Sequence, residues 1–267
     1  MRKYSIIVVT LNNASGLIRT LKSIRRLDYS EKEVIVIDGG SDDGSLDVIS
    51  NNKDIISFSS SEKDSGIYNA MNKGITYVTG DYVVFMNAGD EFADNGVLSL
   101  VSKYNGDIVL GGDIYDGTVR VLKEEMSLYD ILSIGIYHQA VYYKREILQK
   151  YHFDESYKII ADLKSVVEPL AKDKISISCI NQPLAKCEGG GLSKKHWRDI
   201  IAERKRMIEE VVDPFYKDDY QRFSRINNTM LDDFIVLSHF KSIYPIIKFS
   251  TKFLKLLNKK IKQIPLD

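Results

Sequence analysis

The sequence predicts an α/β fold whose central sheet is mostly parallel and covered by helices, and three observations carry that prediction. The first half alternates short apolar runs with segments of helical spacing, the pattern left by crossover helices that cover a parallel sheet. Two of the apolar runs, Val34-Ile35-Val36-Ile37 and Tyr82-Val83-Val84-Phe85-Met86, end in acidic, glycine-bearing turns, Asp38 to Gly44 and Asn87 to Asp90. In an open parallel sheet ligands gather at such carboxyl ends, where loops and helix N-termini converge. Finally, 267 residues suffice for one well-packed domain with an extension. No apolar run nears the roughly 20 residues that span a bilayer.

The elements follow in order. Tyr4 to Val9 reads as a buried first strand. Met1-Arg2-Lys3 and the apolar residues after it mimic a signal peptide, but the run is short and enters Asn12-Asn13 without a small-residue cleavage site. Leu17, Leu21, Ile24 and Leu27 then recur at helical spacing. Val34 to Ile37 is the second strand, Leu46 and Ile49 mark a short helix, and Ile55 to Phe58 is the third strand. Ile67, Ala70, Met71, Gly74, Ile75 and Val78 form the apolar stripe of a helix that leads to the fourth strand, Tyr82 to Met86. Beyond Asp90, Val97 to Val101 is helical, Ile108 to Leu110 extended, and Asp116-Gly117 a hairpin turn before Val119 to Leu122. Strands at Ala140 to Tyr143 and Ile175 to Ile180 bracket a helix from Asp162 to Ala171. Gly189-Gly190-Gly191 is a flexible break, and the chain is helical after it.

Composition narrows the function. Lys+Arg and Asp+Glu both number 37, and a formal charge of zero argues against a protein built to wrap nucleic acid. Cys179 and Cys187 lack metal-ligand spacing and read as reduced, interior thiols of a cytosolic protein. Seven lysines and no acidic residue lie between Phe234 and Leu266. Projected at about 100° per residue, Tyr244 to Ile264 sets Ile246, Ile247, Phe253, Leu254, Leu257, Ile261 and Ile264 opposite Lys248, Lys252, Lys255, Lys259 and Lys262. Such a basic amphipathic helix either packs on the domain or docks on an anionic membrane surface, each lysine there contributing about 1 kcal/mol.

Each candidate site residue has a structural alternative beside its chemical one. Asp38, followed by Gly39, either shapes a tight turn or accepts hydrogen bonds from a nucleobase imide or ribose hydroxyl. Asp64 either caps the following helix or, with Asn69, Asn72 and Lys73, borders a nucleotide pocket. Asn87-Ala88-Gly89-Asp90 is the metal candidate, because hard divalent ions take oxygen ligands, one or two from protein and the rest from phosphate and water. Asp90 is the principal ligand there. Asp162 reads as the N-cap of the helix that follows it, and His138 is an interior histidine or a ligand and proton carrier. His196 has a weaker claim, and Ser193, Lys194 and Lys195 form a candidate lid over a diphosphate.

These motifs in this order resemble family 2 glycosyltransferases of the GT-A fold, particularly bacterial enzymes that build O-antigen, colanic acid and capsule. The resemblance runs from Tyr4 to about Ser193. It is carried by Ile7 to Asn12, Val36 to Ser45, Asp64 to Gly74, Asn87 to Asp90, His138-Gln139-Ala140, Ala161-Asp162 and Gly190 to Ser193. It implies that Thr10, Asn12, Asp38 and Asp64 line the nucleoside site and that Asn87 to Asp90 replaces an Asp-x-Asp motif holding Mn²⁺ or Mg²⁺ on the diphosphate. Asn87 and Gly89 depart from that motif, leaving Asp90 as its one carboxylate, and Asn69 stands where the family more often has Asp. Asp162 becomes the base of an inverting transfer.

The expected organisation is a GT-A catalytic domain over residues 1–195, with a nucleotide-binding half 1–90 and an acceptor-binding half 91–195, then a helical extension over 196–267. The expected function is metal-dependent transfer from a nucleotide-sugar donor, a UDP-sugar first, to a lipid-linked saccharide on the cytoplasmic, inner face of the cell membrane. The alternative is a catalytically weak sugar-nucleotide-binding partner subunit, which the altered metal motif suggests. A nucleotidyltransferase or nicotinamide enzyme is disfavoured because Asn12-Asn13-Ala14-Ser15-Gly16 lacks the glycine-rich phosphate loop either needs.

Overall fold

The computed structural model describes residues 1–189 and 197–213. Met1–Val212 forms one compact unit. The chain begins with β1 (Tyr4–Thr10), α1 (Ala14–Arg25), β2 (Lys32–Asp38), α2 (Ser45–Ser50), β3 (Phe58–Ser61), α3 (Ile67–Ile75) and β4 (Tyr82–Asn87). β1, β2 and β4 are wholly or almost wholly buried, as continuous Val/Ile runs covered on both faces must be. Ile6, Val8, Val36, Val84 and Met86 pack with Leu17, Leu21 and Ile24 of α1. On the opposite face Gly74 of α3 lies against Ile7, where an added Cβ would stand 2.6 Å from the Ile7 Cγ2.

The second half adds β5 (Glu91–Phe92), α4 (Val97–Val101), β6 (Ile108–Tyr115), β7 (Thr118–Arg120), α5 (Leu128–Ile134), a 3₁₀ turn (His138–Ala140), β8 (Val141–Lys144), α6 (Arg145–Lys150), α7 (Ala161–Asp173), β9 (Ile177–Cys187) and α8 (Trp197–Val211). The nine-stranded sheet runs β3-β2-β1-β4-β8-β6-β9-β5, with β7 beside β6. Strands β3, β2, β1 and β4 are parallel, as expected. β8 is antiparallel to both β4 and β6, β5 is antiparallel to β9, and β6 and β9 are parallel. The sheet is therefore mixed rather than mostly parallel. Its order reverses between β1 and β4, and the loops of that switch point open at the carboxyl ends of both strands.

Several boundaries differ from the sequence reading. Ile55 and Ile56 belong to the turn after α2, half-buried against the core, and the third strand starts only at Phe58. The sequence reading contained no helix at α5, although Ser127 and Asp130 form a reciprocal capping box at its start. Asp116 and Gly117 form the hairpin turn, with φ of 51° and 73°. Cys179 and Cys187 are free and buried, as anticipated. α8 packs against α7, within the compact unit and beyond the expected boundary at 195. Among the described residues no helix is long and apolar enough to cross a membrane. Ser193, Lys194, Lys195, His196 and the basic segment 244–264 lie outside the described residues.

Candidate active site

A cavity of about 600 Å³ lies beside the switch point and is lined by Asn87, Ala88, Asp90, His138, Gln139 and Asp162 among others. Asn87 is the last residue of β4, and the turn after it reverses through Gly89 at φ 111°. The positive φ favours glycine there, and a Cβ would in addition displace the Glu188 carboxylate, whose Oε2 would lie 2.0 Å away. Two polar residues of the first helical segment pin this turn. Thr20 Oγ1 donates to the Asp90 carbonyl at 2.7 Å and accepts from Gly89 N at 3.0 Å, and Asn13 Nδ2 donates to the Ala88 carbonyl at 2.8 Å.

Asp90 is 4% exposed. Its Oδ2 accepts from Gln139 Nε2 at 2.6 Å and its Oδ1 from Glu188 N at 2.8 Å. Burial pushes its pKa up, against those donors and the nearby His138. Among the described residues no lysine or arginine pairs with it, and Gln139 Oε1 beside it is buried without a partner. No cluster of three or more His, Cys, Asp or Glu among the described residues could hold a metal by itself. The donor set, Asp90 with Asn87, therefore suits an ion shared with a diphosphate, because such ions often take only one or two protein carboxylates.

Asp162 sits in the first turn of α7, two residues past the cap position at Ile160, so it is not the helix cap. Its Oδ2 lies 3.1 Å from His138 Nδ1, and His138 Nε2 lies 3.2 Å from Asn87 Oδ1. Leu163 N donates to Asp162 Oδ1 at 2.8 Å, and the Tyr68 hydroxyl lies 3.3 Å from the same oxygen. Burial, reinforced by Asp162, pushes the Tyr68 phenol far up, so it stays a donor, and its stronger bond goes to the Ile159 carbonyl at 2.5 Å. Three elements distant in sequence thus meet in a line, Asn87–His138–Asp162, and Asp90 faces the same cavity.

The nucleoside candidates cluster next door, at the ends of β1, β2 and β3, where Thr10 is paired with Asp38 and Val9 with Asn87. Thr10 Oγ1 is buried without a partner, an open donor and acceptor. Gly39 makes room for Asp64, whose Oδ2 would stand 2.5 Å from a Cβ at position 39. Asp64 Oδ1 accepts from Gly66 N at 3.0 Å in a local turn, and Gly66 takes the cap position of α3, so Asp64 is not the helix cap that its structural alternative expected. Asn12, at φ 49°, binds Asp42 N through Oδ1 at 2.9 Å and so fixes the loop after β2.

Three expected contacts need correction. Asp38 is fully buried, and its Oδ2 accepts from Gly40 N, Ser41 N and Ser61 Oγ at 3.0, 2.9 and 2.6 Å, so it builds the loop instead of presenting a carboxylate. Asn69 Nδ2 is bound to Glu155 at 3.0 Å, and neighbouring Asn72 holds both the Phe153 backbone and Glu155. Lys73 Nζ pairs with Glu62 at 2.9 Å and the Lys63 carbonyl at 3.2 Å. Neither Asn69 nor Lys73 lines the cavity. Sequence reasoning missed Tyr68, Gln139 and Glu188 as site residues; Tyr68, inside the Asp64 to Gly74 motif, and Gln139, inside His138-Gln139-Ala140, left a signal, and Glu188 left none.

A parallel switch point with a carboxylate-bearing turn on one side and a His–Asp pair on the other lies where open α/β sheets place their ligands. The model of glycosyl transferase family 2 matches residues 5–162, and the chain belongs to that family. A glycosyltransferase of Mycobacterium tuberculosis (strain H37Rv) named for PGL/p-HBAD biosynthesis is 31% identical over 173 residues, covering 60% of this chain and 66% of the relative. TarP of Staphylococcus aureus (strain N315), a poly(ribitol-phosphate) β-N-acetylglucosaminyltransferase, is 26% identical over 160 residues, 57% of this chain and 49% of its own length. The chain thus spans just under two thirds of the first of these relatives and about half of the second. Solved structures share the GT-A fold. S. aureus TarS in complex with UDP-GlcNAc has a TM-score of 0.65 at 17% identity, over 82% of this chain and 70% of TarS. The mannosyltransferase PcManGT of Pyrobaculum calidifontis in complex with GDP-Man and Mn²⁺ scores 0.64 at 16%, over 96% and 81%.

Proposed function

We propose that this protein is an inverting, metal-dependent glycosyltransferase that moves one sugar from a nucleotide-sugar donor to a lipid-linked saccharide in cell-envelope glycan synthesis. The carrying observation is that Asp90 and Asp162 face one cavity, with His138 bridging from Asp162 to Asn87. The fold neighbours bound to UDP-GlcNAc or to GDP-Man with Mn²⁺ support a nucleotide-sugar donor, and the named relatives support an envelope glycan as product.

Asp162 takes the proton of the acceptor hydroxyl as its oxygen bonds to the anomeric carbon, and the bond from that carbon to the diphosphate breaks on the opposite face. An α-linked donor then yields a β-linkage. Asp90 and Asn87 are the residues that would hold a divalent ion, which would supply Lewis-acid stabilisation of the departing diphosphate. His138 keeps Asp162 oriented by donating from Nδ1; its Nε2 then accepts once the Asn87 amide presents Nδ2, an orientation interchangeable with the assigned one. Tyr68 and the Leu163 amide hold the other carboxylate oxygen. Docking of the segment 244–264 on anionic lipid at the cytoplasmic face would bring the site to such an acceptor.

The test combines nucleotide binding with turnover. Asp90→Ala should abolish the Mn²⁺-dependent part of the thermal shift given by nucleotide diphosphates. Asp162→Asn should keep that shift and lose transfer by roughly 10²-fold or more, the usual contribution of a positioned base. Equal loss of binding in both variants would refute the two roles. Wild-type protein that binds a nucleotide diphosphate with Mn²⁺ yet neither transfers nor hydrolyses any donor would favour the weak partner subunit, which the sparse ligand set at Asn87 and Asp90 motivates.

A further inference from the structure

Gly89 is one of the two positions at which the metal turn departs from Asp-x-Asp, and a carboxylate from another strand stands in its place. β5 pairs antiparallel with β9, Glu91 opposite Lys186 and Phe92 opposite Ala185. Continued by two residues, that register sets Gly89 opposite Glu188. Residues directly opposite on antiparallel strands send their side chains to one face. A Cβ at position 89 would accordingly stand 2.0 Å from Glu188 Oε2 and 3.0 Å from Glu188 Cδ, so the glutamate fills the space of the absent side chain and leads with Oε2. The backbone keeps that space open, since a φ of 111° favours glycine.

The two oxygens of Glu188 are divided between neighbours. Oε1 accepts from Arg19 Nη2 of α1, a half-exposed ion pair of the kind that contributes little to stability. Oε2 is the oxygen turned to the metal turn. The main chain of the same residue is tied to that turn as well, because Glu188 N donates to Asp90 Oδ1 at 2.8 Å. Asn87, Asp90 and Glu188 line one cavity. Gln139 lines it too, 5% exposed, with Nε2 on Asp90 and Oε1 buried without a partner. An acceptor without a donor beside a buried carboxylate is a surplus of lone pairs, which an oxygen-seeking cation satisfies.

We propose, resting on the metal-dependent reading above, that Glu188 supplies the carboxylate which Gly89 lacks and serves with Asp90 and Asn87 as a protein ligand of the divalent ion. The chain then offers two carboxylates and one amide oxygen, the share such an ion takes from protein when a diphosphate and water complete its shell. Glycine at 89 and glutamate at 188 are one exchange, in which a carboxylate moves from the turn to the end of the strand paired beside it.

The experiment follows Mn²⁺ uptake by the full-length protein in saturating UDP, read from the paramagnetic resonance of the free ion, for the wild type, Glu188→Gln and Arg19→Gln. Both variants break the same ion pair, so any cost of its loss to the fold is common to them. They differ in what they do to a cation: Glu188→Gln removes a ligand, whereas Arg19→Gln removes a repelling charge. The Mn²⁺ Kd of Glu188→Gln should therefore exceed that of Arg19→Gln by roughly tenfold or more, since losing even an outer partner of a metal ligand costs about that much. The ratio should persist in 1 M KCl, where the screening length is about 3 Å and repulsion through space is largely lost. A smaller ratio at either salt level would overturn the inference and leave Glu188 as the partner of Arg19 alone. Wild type that binds UDP but takes up no Mn²⁺ would instead sink the metal-dependent reading of the site, so the two failures are distinguishable.

Discussion

Glu33 anchors the end of the sheet that lies opposite the site, and neutralising it should cost stability without touching catalysis. Its Oε1 accepts from Ser5 Oγ at 2.5 Å, Thr79 N at 2.6 Å and Gly80 N at 3.2 Å; its Oε2 accepts from Thr79 Oγ1 at 2.6 Å and pairs with Lys3 Nζ at 2.8 Å. Burial alone would raise its pKa, but Lys3, Ser5 and Thr79 outweigh burial and bring it from 4.5 down to about 2. At about 1.4 kcal/mol per pH unit, that difference stabilises the fold by about 3 kcal/mol at pH 7. Because the folded value is the depressed one, this contribution is whole above about pH 4.5, shrinks as pH falls towards 2 and vanishes below. Urea unfolding of full-length wild type and Glu33→Gln should therefore differ by about 3 kcal/mol at pH 7 and by only about 1 kcal/mol at pH 3. Where both are folded, kcat/KM should be unchanged. The same free-energy gap at both pH values would refute the electrostatic account, and lost turnover in fully folded variant would refute the separation of the two sheet ends.

Three further outcomes follow from the site. Glu203→Gln replaces a charged acceptor of three amides by one that satisfies at most two, so the loop feeding Asp162 loosens; kcat should fall about 5- to 30-fold for 1–2 kcal/mol lost, with nucleotide binding unchanged by thermal shift. Gly39→Ala drives a methyl into Asp64 Oδ2, so the apparent affinity for a nucleotide diphosphate should drop while the circular dichroism spectrum stays native. Deleting residues 241–267 should shift the protein from membrane to soluble fraction in cell fractionation, and unchanged partitioning would remove the lipid-docking role of the lysine-rich segment.

The parallel half of the fold was legible because its strands are buried on both faces and read as unbroken Val/Ile runs between acidic, glycine-bearing turns. The second half was less so. β9 extends from Ile177 to Cys187 through Gln182 and Pro183, residues that look like loop, because register shifts opposite Gly111 and Gly112 absorb the irregularity. At the site, Asn87, Asp90, His138 and Asp162 were named in advance, since each stands at a strand end or helix start with chemistry of its own. Asp38, Asn69 and Lys73 were misjudged for one shared reason: a polar side chain near a pocket has many backbone groups to satisfy, and spacing in sequence does not reveal which it will choose. Glu203 escaped notice because its three partners lie more than 40 residues away, and only the docking of α8 brings them together.

The altered metal turn gains a physical meaning from His138. The imidazole already meets one carboxylate, Asp162, at 3.1 Å through Nδ1, and its other nitrogen ends on position 87 at 3.2 Å. A carboxylate at 87 would flank the ring with two negative charges and compete with Asp162 for the N–H donation of the imidazole. Asparagine avoids that charge while retaining an oxygen for an ion and an amide nitrogen for the ring. Of the turn's own residues one carboxylate, Asp90, would then be left to balance the proposed cation, and it is buried between Gln139 and the Glu188 amide with no lysine or arginine of the described residues paired to it. The departure at Asn87 and the isolation of Asp90 are thus two parts of one arrangement, in which the Asp90 carboxylate is separated from the Asp162 carboxylate by a neutral amide and an imidazole, as the proposed division between diphosphate binding and proton acceptance would require.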